Sequence, residues 1–151
     1  DAQVISDLDS AVTFAAHSGH GDTNRLSITG FCWGGRIVWL YAAHNKNLKA
    51  GVAWYGRLAE KGTALQPKFP IDVAGSVKAP VLGLYGAEDS GIPLSAVEKM
   101  RSALTSAGSP SEIVVYPGVG HAFHADYRST YRQQPAEDGW QRLQAWFKRW
   151  V

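Results

Sequence analysis

The sequence predicts an α/β protein built on a mainly parallel sheet of about four strands, with helices on both faces. Three observations carry that expectation. Short strand-like runs alternate with longer segments of helical periodicity along the 151 residues, and such alternation gives an open parallel sheet. Gly30-Phe31-Cys32-Trp33-Gly34-Gly35 joins one strand-like run directly to a buried helix. Cys32, Asp89 and His121 follow the first, third and fourth of those runs, and the carboxyl ends of parallel strands are where reactive groups gather.

Taken in order, Ile5, Leu8, Val12 and Ala15 recur at helical spacing, and Gly19 and Gly21 end that helix. His17, His20 and Asp22 lie beyond it and could be drawn as a metal site, but a Gly-rich polar loop after a helix end reads as surface. Leu26 to Phe31 is the first strand, and Gly34 to about Asn45 the helix that leaves the turn. Ala50 to Tyr55 is a second, buried strand, so strand, helix and strand imply a right-handed parallel crossover. Gly56 to Ala79, with Gly62, Pro67, Pro70 and Gly75, is expected as a long irregular segment of the kind that forms a wall or lid. Pro80 to Gly86 is nearly all apolar, as a strand covered on both faces should be. Pro93 suits a first helical position, and Leu94, Val97, Arg101 and Leu104 carry that helix to Gly108. Ser111 to Tyr116 is the fourth strand. Pro135 opens the last helix, whose Trp140, Leu143, Phe147 and Trp150 form an apolar stripe read as core.

Composition narrows the classes. An apolar content of 45% and a charged content of 19% fit one soluble domain, residues 1–151, with a core of its own. A net charge of +2 is too small to imply nucleic acid, and no apolar run is long enough to span a membrane. One cysteine excludes an internal disulfide, favours a cytoplasmic setting, and beside histidines and acids is a candidate nucleophile. The chain opens Asp1-Ala2-Gln3 without methionine, so a missing signal peptide says little.

Strand, Gly-x-Cys-x-Gly and helix form the pattern of a nucleophile elbow, in which the nucleophile takes a strained backbone conformation and its neighbours two residues away must be small. Gly30 and Gly34 meet that need, and Gly35 lets the helix approach the strand. A Gly-rich turn can also cradle phosphate, but the spacing is not Gly-x-Gly-x-x-Gly and no Lys-Ser/Thr follows. Nucleophile, acid and base in the order Cys32, Asp89, His121 is the chain order expected of an elbow with a triad. His121 would take the thiol proton, Asp89 would orient the imidazole, and the Trp33 N–H would hold an oxyanion. An assembled pair is expected to bring the thiol below its ordinary pKa of about 8.5.

These three motifs, with Tyr85-Gly86-Ala87-Glu88-Asp89-Ser90-Gly91-Ile92-Pro93 and Pro117-Gly118-Val119-Gly120-His121-Ala122-Phe123 flanking the acid and base, resemble the dienelactone hydrolase family of α/β-hydrolases over essentially the whole chain. The resemblance implies a partial α/β-hydrolase fold and a Cys-His-Asp hydrolase of small esters or cyclic enol esters, without metal or organic cofactor. Arg128 and Tyr55 are the candidate substrate-binding residues, Arg128 standing out of register with the family's arginine.

Family members also carry an N-terminal portion, which supplies further strands, an acidic residue that regulates the cysteine, a second oxyanion amide and an arginine. The chain is therefore expected to be the C-terminal half of such an enzyme, weakened about a hundred- to a thousand-fold by loss of an oxyanion donor. Its first strand would become a sheet edge, open to self-association or to a missing N-terminal fragment. The competing expectation is a non-catalytic association module that uses that edge.

Overall fold

Four parallel strands lie in the sheet in chain order: β1 (Ser27–Phe31), β2 (Ala50–Trp54), β3 (Val81–Gly86) and β4 (Glu112–Tyr116). The structure is a computed structural model that describes residues 1–151. Helices α1 (Ala2–His17), α2 (Trp33–His44), α3 (Pro70–Val73), α4 (Leu94–Ser106) and α5 (Gln133–Trp150) complete it. β2 and β3 are buried along their whole length, which explains their unbroken apolar sequence, whereas β1 at the edge leaves Thr29 and Phe31 exposed. The expected edge is therefore present.

The two faces of the sheet are covered unequally. α2 packs on β1 and β2, and Gly51 gives it room, since a Cβ there would meet Val38 Cγ1 at 2.9 Å. α5 covers the opposite face of β2 and β3 through Ala136, Gly139, Leu143 and Trp146. Gly139 is required there because a Cβ would stand 2.7 Å from the buried Trp54 ring. Complete burial of an aromatic side chain such as Trp54 contributes about 1.5–3 kcal/mol, and its Nε1–H donates to Thr29 Oγ1 at 3.2 Å.

The stripe expected on α5 is rotated. Trp140 is 45% exposed while Trp146 is buried and donates to the Pro80 carbonyl at 3.3 Å. Residues 136, 139, 143 and 146 follow the helical repeat across the sheet, and Trp140 stands one residue, about 100°, off that line. The helix begins at Gln133, before Pro135. Pro93 is the N-cap of α4, one place earlier than expected, with an extended ψ of 147° and a carbonyl that accepts the Ala96 N–H at 2.8 Å.

The segment from Gly56 to Ala79 contains α3 and a 3₁₀ turn, Ala74–Ser76, and is not wholly irregular. It is clasped to the rest of the fold by Arg36 of α2. That side chain is 1% exposed, donates to both Asp1 oxygens at 2.7 and 2.6 Å and to the Lys68 carbonyl, and stacks on Phe69 with 4.7 Å to the ring centroid. One guanidinium thus joins the start of α1, the first turn of α2 and the long loop. No helix is long and apolar enough to cross a membrane.

Candidate active site

Parallel pairing aligns the carboxyl ends of all four strands, and the loops that follow converge on Cys32. Cys32 is the N-cap of α2, with φ 52° and ψ −118°. Its backbone N–H donates to the Trp54 carbonyl at 3.0 Å, so the neighbouring strand holds the turn in place. A Cβ on Gly30 would lie 2.5 Å from the Gly34 carbonyl oxygen, and one on Gly35 would lie 2.5 Å from the Trp54 carbonyl oxygen. Both glycines are required by close backbone approach. Gly34 departs from expectation, since a Cβ there would meet nothing within 4 Å.

The loop after β3 brings Asp89 into the site, 4% exposed, with one oxygen accepting the Gly91 N–H at 2.9 Å. Its other oxygen lies 2.6 Å from His121 Nδ1 in the loop after β4. His121 Nε2 lies 3.2 Å from Cys32 Sγ. A carboxylate only accepts, so the proton between Asp89 and His121 belongs on Nδ1, which leaves Nε2 facing the thiol. Cys32, His121 and Asp89 are therefore brought together in a single chain of contacts.

The electrostatics run against one expectation. Burial pushes the Cys32 thiol up from its ordinary value, the Asp89 carboxylate adds to that, and the Arg128 guanidinium opposes it. Burial thus favours the protonated thiol, and the geometry places His121 Nε2 where it can accept the thiol proton.

Three non-glycine residues have positive φ: Cys32 at 52°, Tyr55 at 36° and Ala122 at 59°. All three line the same cavity, of about 500 Å³. Such conformations cost on the order of 1–3 kcal/mol each and persist where the surroundings fix them. The Tyr55 N–H, for example, donates to the Leu84 carbonyl at 2.8 Å. Tyr55 is buried, and its ring meets His121 edge-on at 5.1 Å. Burial raises its phenol far above the ordinary range, so it is neutral.

The rest of that cavity is mostly apolar, with Phe31, Tyr127 and Tyr131 in its wall and Arg128 at its exposed rim. Tyr55 and Arg128 thus share one cavity with Cys32. Trp33 lies instead in a second cavity of about 240 Å³, which also borders Cys32 and His121 and is lined from the long segment by Arg57, Glu60 and Gln66. Sequence reasoning did not single out these three, because a polar residue in a loop carries no period; the length of the segment was the available signal.

The family model described as "Dienelactone hydrolase family" matches residues 1–151. A protein of Methylorubrum extorquens named "Putative carboxymethylenebutenolidase" is 63% identical over 150 residues, covering 99% of this chain and 52% of that protein. One of Escherichia coli K12 with the same name is 56% identical, covering 99% of this chain and 55% of its own length. A crystal structure named as that of a "Putative Dienelactone Hydrolase" from Klebsiella pneumoniae superposes with a TM-score of 0.95 at 58% identity, covering 99% of this chain and 62% of that one. The chain spans about half the length of the curated relatives it matches.

Proposed function

The chain belongs to the dienelactone hydrolase family, and on that premise we propose that it carries the catalytic residues of a hydrolase of small carboxylic esters or lactones. The observation that carries this reading is the contact chain Cys32 Sγ, His121 Nε2, His121 Nδ1, Asp89 Oδ2, with distances of 3.2 and 2.6 Å for its two hydrogen-bonding steps.

In the proposed reaction the sulfur attacks the ester carbonyl while His121 Nε2 takes the thiol proton. Asp89 keeps the imidazole oriented and stabilises the imidazolium that forms. The negative charge that develops on the carbonyl oxygen is held in part by the Trp33 N–H, which as the first amide of α2 has no acceptor within its own helix. The carbon–oxygen bond to the alcohol then breaks, Nε2–H protonates the departing oxygen, and a thioester on Cys32 remains. Water, deprotonated by His121, attacks the thioester; the acid leaves and the thiol is restored. Tyr55 and Arg128 line the cavity proposed for the acyl portion, Arg128 offering a cation to an acyl group that bears a carboxylate. The cytoplasmic setting favoured by the single cysteine belongs to the same proposal.

Intact-mass analysis after rapid mixing with a small activated ester tests it. The expected result is one added acyl group, removed by hydroxylamine, absent in Cys32→Ala and strongly reduced in His121→Ala. Ester turnover without any Cys32 adduct, or an adduct equally abundant without His121, would overturn the reading.

A second reading rests on β1, whose outer edge pairs with no strand and exposes Phe31. Association of another copy or a further segment through that edge would cover it. Light scattering that gives the monomer mass at micromolar concentration excludes the second copy.

A further inference from the structure

Cys32 lies at the junction of two cavities of different character, and the placement of His121 tells them apart. The larger, of about 500 Å³, is walled mainly by aromatic and small apolar side chains and does not include His121. The smaller, of about 240 Å³, includes His121 and Trp33 together with the polar side chains of Arg57, Glu60 and Gln66. In ester cleavage through a thioester, the alcohol oxygen must depart on the side from which the imidazole returns the proton. That side is the smaller cavity.

We infer that the smaller cavity receives the alcohol portion of the substrate, and that its polar wall selects open-chain esters of small hydroxylated alcohols. This rests on the hydrolase reading above and specifies its leaving group. The wall suits such a group. Arg57 and Glu60 pair with each other, so these two side chains together present a donor and an acceptor without a net charge. The Gln66 backbone is fixed by Thr63, its N–H donating to Thr63 Oγ1 at 3.0 Å and its carbonyl accepting the Thr63 N–H at 2.9 Å. That leaves its carboxamide, which both donates and accepts, to address a hydroxyl. Phe69, 2% exposed, and Trp33 give apolar contact to the carbon skeleton. At roughly 30 Å³ per water the cavity has the volume of about eight waters, enough for a small polyol. An alkyl alcohol would offer no partner to the Gln66 carboxamide or to the donors and acceptors that the Arg57–Glu60 pair leaves over, which is the stronger source of discrimination.

The test compares the glyceryl and propyl esters of one short acid on the native protein, with Gln66→Ala and Glu60→Gln as variants. As acid product and acyl-enzyme are common to both esters, a difference in kcat/KM reports the alcohol site. The glyceryl ester is expected to be preferred about tenfold, the ratio falling toward unity in either variant. Poorly folded protein lowers both rates and preserves the ratio, so the ratio isolates the site. A native ratio near one, or a ratio unchanged in both variants, overturns the inference. If neither ester is turned over, the hydrolase reading fails instead. The cavity assignment is then decided by whether a glyceryl ether slows iodoacetamide alkylation of Cys32 in the native protein but not in Gln66→Ala; no protection overturns it.

Discussion

A Cβ on Gly30 would stand 2.5 Å from the Gly34 carbonyl oxygen, whereas a Cβ on Gly34 would meet nothing within 4 Å. The two glycines of the elbow are therefore not equivalent. The collision at Gly30 is with backbone that also forms the first turn of α2, so it cannot be relieved by a rotamer change. Gly30→Ala is expected to displace the Cys32 turn and lower activity at least a hundredfold. Gly34→Ala is expected to leave the fold intact and, within a helix, to gain up to about 1 kcal/mol. Urea unfolding and Cys32 alkylation of both variants check this; equal damage in the two would contradict it.

The thiol of Cys32 is raised by burial, so the thiolate fraction at neutral pH is smaller than that of an ordinary cysteine. Alkylation by iodoacetamide should therefore keep rising with pH beyond about 8.5, the ordinary thiol value. A rate already at its plateau near pH 6 would mean a preformed thiolate and would refute the upward shift. His121→Ala should slow esterolysis far more than it slows alkylation, because it removes the base.

Asp89 is buried and tied to both the Gly91 N–H and His121 Nδ1. Asp89→Asn preserves the shape but can present its amide to Nδ1, which favours the tautomer with the proton on Nε2. A loss in kcat of about 10³–10⁴-fold is expected, with stability little changed. Steady-state kinetics across pH will show it; a loss below tenfold would remove Asp89 from the triad.

Asp138 links β4 to α5, accepting from Arg142 Nε at 2.6 Å and from the Tyr116 hydroxyl at 2.7 Å. The Arg142 bond, then the Tyr116 bond, hold its carboxyl below the usual range, with burial opposing. A carboxylate whose folded pKa is depressed contributes stability above its unfolded value, about 3.9, and loses it as pH falls through the folded one. Because the pair is about half exposed, solvent screening limits the gain to about 0.5–1 kcal/mol. Asp138→Asn should lose that amount in urea unfolding at pH 7, and the difference should close below about pH 4. A difference that widens in acid would reverse the sign of the argument.

Gly139 faces the Trp54 ring, with 2.7 Å from a virtual Cβ to the nearest ring carbon. Trp54 is fully buried and cannot swing aside, so Gly139→Ala should cost about 1–3 kcal/mol by overpacking. Thermal unfolding measures this directly. An unchanged or raised Tm would show that α5 can shift away from the sheet.

The sequence by itself determined the strand and helix succession, the elbow at Cys32, and the order in which Cys32, Asp89 and His121 reach one end of the sheet. These follow from patterns over a few residues: glycines flanking a nucleophile, apolar runs of strand length, and loops placed after them. What only the tertiary structure decided depends on groups far apart in the chain. The face that α5 turns to the sheet is set by Trp54 and Leu84 pressing on Gly139, so Trp146 is buried and Trp140 is not. Tyr55 takes positive φ although the residue does not favour it, because its N–H is held by the Leu84 carbonyl of the neighbouring strand; Ala122 takes it in a turn whose carbonyl accepts the Ala125 N–H. The upward shift of the Cys32 thiol arises from burial and from Asp89, with Arg128 opposing it, and no local spacing reveals that balance. Arg57, Glu60 and Gln66 meet the site only because the segment after β2 folds back over α2, clasped there by Arg36. Local periodicity encodes the elements; through-space packing and desolvation set the chemistry where they meet.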